Sequence, residues 1–189
     1  MKLYDAIEKR STVLAFNAPA TVEQLKRITL AGAKAPSSRN SQPWEFILVE
    51  DAGLIEKIAR IKYDMSVAMA RKGGDSPEEA EKRAAIQKDS FRNASVLAVC
   101  HAPRGEASCW LAVENISLAA VAENLGTGIV FYGSGEQGAE VGGLLNLPEG
   151  MALTCILKIG VPDRTVPPRS KTLRPAYSWL HRNTYGSPL

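Results

Sequence analysis

Three short polar stretches carry the residue types that could do chemistry. Arg10-Ser11-Thr12 sets a permanent cation beside two hydroxyls. That donor set suits an anionic group, and it equally suits the cation and turn that close a helix. Pro36-Ser37-Ser38-Arg39-Asn40-Ser41-Gln42 gathers hydroxyls and amides that either bond a polar ligand or make a plain polar loop. Lys171 and Arg174 are either further anion-binding cations or solvated charges. No nucleophile or acid–base pair stands out. His101 and His181 are lone histidines without an evident acid partner, so no catalytic side chain is named. Cys100, Cys109 and Cys155 lack C-x-x-C or Cys/His spacing, which leaves no metal site or disulfide framework and reads as buried, reduced thiols.

The elements that must position these residues follow from periodicity and caps. Leu3, Ala6 and Ile7 share one face of a helix over 2–9 that runs into Arg10. After a polar loop, Thr21 and Gln24 form a capping box for a helix with Val22, Leu25, Ile28 and Ala31 at helical spacing, ending near Gly32. The loop at 35–43 then enters a strand over 44–49. Asp51 caps a helix over 53–61, and 62–75 is a partly apolar segment without a clear period. Ser76-Pro77-Glu78-Glu79 opens a charged helix, and 95–102 reads as a buried strand. Residues 109–125 form a helix apolar nearly all round, which belongs at the centre or at an interface. Gly126-Thr127-Gly128 terminates it before a strand over 129–132, a helix to about Leu147 and a last strand over 153–159. The proline-rich remainder reads as an extended arm. This is an α and β mixture, and no Gly-x-Gly-x-x-Gly follows the first strand, which excludes a Rossmann phosphate loop.

At 189 residues, with 45% hydrophobic and 23% charged positions, the chain is sized for one ordinary globular domain. Disordered, collagen-like and coiled-coil classes are excluded. The formal charge of +3 is mild and spread along the chain, so no nucleic-acid partner is expected. No stretch approaches the ~18 uninterrupted apolar residues of a membrane span, and the N-terminus has no apolar run. The expectation is a cytoplasmic protein without a membrane partner.

Taken in order, four segments resemble the FMN-dependent nitroreductase family. They are I-E-K-R-S-T-V-L-A-F at 7–16, A-P-S-S-R-N-S-Q-P-W-E-F at 35–46, E-N-L-G-T-G-I-V-F-Y-G-S-G at 123–135 with its L-L-N-L-P-E-G continuation, and L-K-I-G-V-P followed by K-T-L-R-P. The resemblance implies an α+β fold over 1–189, a central mostly antiparallel sheet flanked by helices, and a C-terminal arm at 160–189 swapped in a homodimer. It implies FMN as bound cofactor. Arg10 with Ser11 and Thr12 would hold the phosphate, with Arg174 and Lys171 of the arm closing the same site. Ser37, Ser38, Asn40 and Gln42 would face the ribityl chain and ring edge, with Pro36 packing on the ring, in the site bound mainly by the partner subunit. Backbone N–H groups of Tyr132 and Gly133 would point at the reactive ring nitrogen.

The implied activity is hydride transfer from NADH or NADPH through FMN to a small electron-poor acceptor, a nitroaromatic or quinone, in a ping-pong cycle. Specialised members that remove a substituent reductively or break down flavin, and a flavin-binding sensor without turnover, are the alternatives. A lid at 62–92, with Met65 and Met69, would suit a specialised member. One position departs from the family pattern: Leu14 stands where a second cation is usual. Lys62, Arg71 or Lys72 are the candidates to replace it.

Overall fold

The computed structural model describes residues 1–167, 172–175 and 178–187. In chain order the elements are α1 (Leu3–Lys9), β1 (Phe16–Pro19), α2 (Val22–Gly32), a 3-10 turn (Ser38–Asn40), β2 (Trp44–Val49), α3 (Ala52–Lys72), α4 (Pro77–Asp89), β3 (Ser95–His101), α5 (Glu106–Ala122), β4 (Gly126–Val130), α6 (Glu136–Leu144) and β5 (Ala152–Pro162). The long β5 organises the sheet. It pairs antiparallel with β3 along 152–159, with β4 along 156–160 and with β1 along 160–162, and β2 extends the sheet from β3. The fold is the α+β arrangement with an antiparallel sheet flanked by helices.

Alternation along β5 divides the interior into two cores. Leu157 and Ile159 face Leu25 and Ile28 of α2 and Ala112 and Ile116 of α5. Ile156 faces the other way, toward Ile58 of α3, Val141 of α6 and Tyr132. Local signals set the helix starts. Thr21 and Gln24 exchange side-chain-to-backbone bonds at 3.2 and 3.0 Å, and Asp51 Oδ1 accepts from Leu54 N–H at 2.7 Å. Ser76 and Glu79 repeat the reciprocal box with Pro77 at the first helical position.

Several boundaries differ from the sequence expectation, each for a packing reason. The polar loop before α2 contains β1, whose only buried residue is Phe16; an edge strand ending in proline carries no alternating apolar signal. The helix expected to end at residue 61 continues to Lys72. Its second half forms a hairpin with α4, whose contact face is the fully buried pair Ala80 and Ala84, too small to register as an amphipathic stripe. The glycines expected to stop α5 instead begin β4, earlier than 129. A Cβ on Gly126 would lie 2.4 Å from Val13 Cγ2, and one on Gly128 2.8 Å from the Val13 carbonyl, so their bareness lets residues 12–14 press flush against the strand.

Lys158 of β5 is the unexpected polar member of the second core. Only 2% exposed, its ammonium donates to Ser90 Oγ at the C-cap of α4 and lies 5.3 Å from the Phe91 ring centroid. A cation suits the negative end of a helix, and the ring face adds cation–π attraction. The residue thereby ties the α3–α4 hairpin to the sheet.

Candidate functional site

The site is laid out along β4. After α1 the chain turns at Arg10, whose N–H donates to the Ala6 carbonyl at 2.9 Å, and runs parallel to the strand. Thr12 bridges to Thr127, and Val13 N–H donates to the Thr127 carbonyl at 2.9 Å. This docking fixes Ser11 at one end and Leu14 further along.

At the first end, Ser11 lines two adjoining cavities of about 310 and 230 Å³ together with Pro162 and Arg164, and Lys9 borders the larger. A hydroxyl and two cations line the larger cavity, a donor set suited to a phosphate, while the Asp163 carboxylate borders the smaller one. Arg10 borders neither cavity. Its Nε lies 3.8 Å from Glu114 Oε1 of α5, whose side chain is 54% exposed.

At the second end lies a cavity of about 940 Å³, with Leu14, Ile129, Phe131 and Gly133 on the sheet side and residues of α3 and α4 opposite. Thr127 and Gly133 are six residues apart, roughly 20 Å of extended chain. The Tyr132 side chain points away into the core, where its hydroxyl donates to the Ile58 carbonyl at 3.0 Å and burial pushes its pKa far up. Its hydroxyl is sealed in the core and already used by Ile58, so only the backbone of Tyr132 can serve a ligand. Gly133 has φ +77 and nothing within 3.9 Å of a Cβ built on it, so the chain here is open to a closely approaching ring.

α6 holds that open turn in place. A Cβ on Gly138 would sit 2.2 Å from the Gly133 carbonyl oxygen. Gly138→Ala is therefore expected to lower stability by about 1–3 kcal/mol in urea unfolding, because helix and turn must separate. Gly143→Ala, with open space around the new methyl, is expected to be neutral or slightly stabilising.

The loop at 36–42 is a built feature. Arg39, Asn40 and Gln42 have φ of 55, 55 and 45, conformations that cost about 1–3 kcal/mol apiece for ordinary residues. The Ser37 hydroxyl holds the loop by accepting from Gln42 N–H at 3.0 Å, and Asn40 and Ser41 N–H donate to the Ser37 and Ser38 carbonyls. Pro36, Ser38, Asn40 and Gln42 are exposed, and no residue of the loop borders the large cavity of its own chain. Arg174 is exposed, and Lys171 lies outside the described residues.

The remaining reactive types are accounted for. Burial pushes the Cys100 thiol up to about 12 and raises Cys109 and Cys155 as well, so none is a thiolate. His101 Nδ1 pairs with Thr154 Oγ1 at 2.8 Å, a structural bond. No metal-ligating cluster occurs among the described residues. Lys9, Arg164 and Arg83 carry no signal of their own in the sequence, because their place beside a cavity depends on chain crossings far from them in sequence.

Residues 7–161 match the profile of the Nitroreductase family. The chain belongs to this family. An iodotyrosine deiodinase from Thermotoga neapolitana is 33% identical over 181 residues, covering 90% of this chain and 95% of that protein. The crystal structure of an oxidised iodotyrosine deiodinase bound to FMN and 3-iodo-L-tyrosine superposes with a TM-score of 0.77 at 29% identity, over 97% of this chain and 99% of that one. An FMN-dependent nitroreductase from Clostridium difficile shares the family fold with a TM-score of 0.72 at 19% identity, over 95% and 98% of the two chains. Among the described residues no helix is long and apolar enough to cross a membrane.

Proposed function

We propose that the protein is a homodimeric FMN-dependent oxidoreductase that passes electrons from NADH or NADPH to an electron-poor aromatic acceptor. The observation that carries this reading is the layout along β4: phosphate-suited donors around Ser11 at one end, the open Gly133 turn on a large cavity at the other. That donor set and the Cβ-free space at Gly133 fit FMN. When bound, FMN supplies a two-electron relay between donor and acceptor. The chain's own residues bind and orient. Ser11, Arg10 and Arg164, with Arg174 and Lys171 of the arm, hold the phosphate, and Thr12 keeps their segment on the sheet. The backbone N–H groups at 132–133 face the ring, and the α3–α4 hairpin limits water in the cavity. The nitro group takes up two electrons and two protons to give nitroso and water.

A second copy completes the site. Pro36, Ser37, Ser38, Asn40 and Gln42 serve no cavity of their own chain's flavin side, and their strained loop is explained by reaching the partner's flavin. Tyr4 of α1, Leu111 of α5 and Leu173, Trp179 and Tyr185 of the arm are 82, 48, 73, 51 and 93% exposed, apolar surface that a two-fold partner would cover. Light scattering is expected to report a dimer, and a monomer holding stoichiometric FMN would contradict the shared site.

Reductive dehalogenation is the second reading, favoured by the two deiodinase relatives and by the hairpin that covers the cavity. In that reaction an aryl iodide takes up two electrons and a proton to give the arene and iodide. The two are separated by anaerobic assay of the purified protein. Steady oxidation of NAD(P)H stimulated by a nitroaromatic supports the first. Iodide release from an iodophenol by dithionite-reduced protein, with no oxidation of pyridine nucleotide, supports the second. Bound FMN with neither reaction indicates a sensor.

A further inference from the structure

We propose that Arg83 selects the acceptor, making the outer end of the large cavity a site for aromatic carboxylates; this deepens the proposed function and rests on the FMN ring occupying the inner end. Two charged side chains border the cavity, Lys62 and Arg83, and no carboxylate does. They are placed differently. Lys62 Nζ donates to the Phe131 carbonyl at 3.3 Å, beside the open turn on the sheet side. Arg83 projects from α4 with its side chain 70% exposed, at the mouth. Met65, Met69 and Ile86 border the space as well, apolar and polarisable surface suited to a flat ring.

Arg83 has an ion-pair partner on the side away from the cavity. Its Nη1 lies 2.8 Å from Asp75 Oδ2 in the hairpin turn, and Asp75 does not border the cavity. A guanidinium carries five donors in a planar fork, so Asp75 at one nitrogen, with the Glu79 carboxylate one turn away on α4, still leaves donors for a ligand carboxylate. A neutral ring gains only the apolar contacts. An anionic ring of the same shape gains charge-assisted bonds in addition, moderated by solvent at this exposed position.

The test uses the FMN-loaded protein and two redox-inert probes of one shape, benzoate and benzamide, titrated by calorimetry. Benzoate is expected to bind more tightly than benzamide. Arg83→Gln is expected to weaken benzoate about tenfold and leave benzamide within about twofold, with Arg83→Lys between. The exposed position makes both variants compatible with folding, and their FMN content verifies it. Equal affinities of the two probes for the unmodified protein, or equal weakening of both by Arg83→Gln, overturn the proposal. Failure of the unmodified protein to hold FMN overturns the flavin reading itself, and this proposal with it.

Discussion

Replacing Arg10 or Arg164 by Ala is expected to weaken FMN binding about ten- to a hundredfold and to leave riboflavin binding within about twofold. The loss is the roughly 1.5–3 kcal/mol of a charge-assisted bond to a partly desolvated phosphate, which riboflavin lacks. Arg164 already borders the cavities that Ser11 shares. Arg10 must leave Glu114, but their 3.8 Å contact involves a half-exposed carboxylate, and such pairs contribute only about 0–1 kcal/mol. A phosphate would win that competition. Fluorescence titration of the flavin-free variants with both ligands decides the matter, and equal losses for FMN and riboflavin would place the phosphate elsewhere.

Leu14→Arg is expected to raise the midpoint potential of the bound flavin, and Lys62→Met to lower it. Leu14 and Lys62 border the same cavity as Gly133, so a cation at either place meets the negative charge that the ring gains on reduction. Removing it disfavours the reduced form. A unit charge at ~4 Å is worth up to about 4 kcal/mol near a protein surface, and solvent reduces this, so shifts of roughly 30–90 mV are expected for a two-electron couple. Of the candidates Lys62, Arg71 and Lys72, only Lys62 borders that cavity among the described residues, and we propose that it answers the absence of a cation at residue 14. The double variant Leu14→Arg with Lys62→Met is expected to return close to the original potential. Reductive titration against a reference dye measures all three, and an unchanged potential in both single variants would show that neither side chain faces the ring.

How far the sequence reached depended on the range of the signal. Caps and periodicity located α2 and α4 because Thr21 with Gln24 and Ser76 with Glu79 act within one turn. The family motifs led to Ser11, Leu14 and Gly133, and the structure sets all three along one strand. Long-range facts were not legible. The half of α3 beyond residue 61 is stabilised by α4, and that packing surface is two alanines. Gly126 and Gly128 read as a helix stop because their reason, the close approach of Val13, lies more than a hundred residues away in the chain. Lys158 sat unremarked in an apolar strand because its partners Ser90 and Phe91 come from another element. Arg83 and Arg164 acquire a cavity only through the hairpin and the end of β5, which no local signal reveals.

The proposed function requires that this chain hold FMN with its phosphate at Ser11 and its ring at Gly133. The most direct measurement is the visible spectrum of the purified protein, followed by identification of the released flavin and titration of the stripped protein with FMN and riboflavin. A yellow protein is expected, one that releases FMN stoichiometrically and rebinds it far more tightly than riboflavin. A colourless protein that takes up neither, or one that binds the two alike, would contradict it.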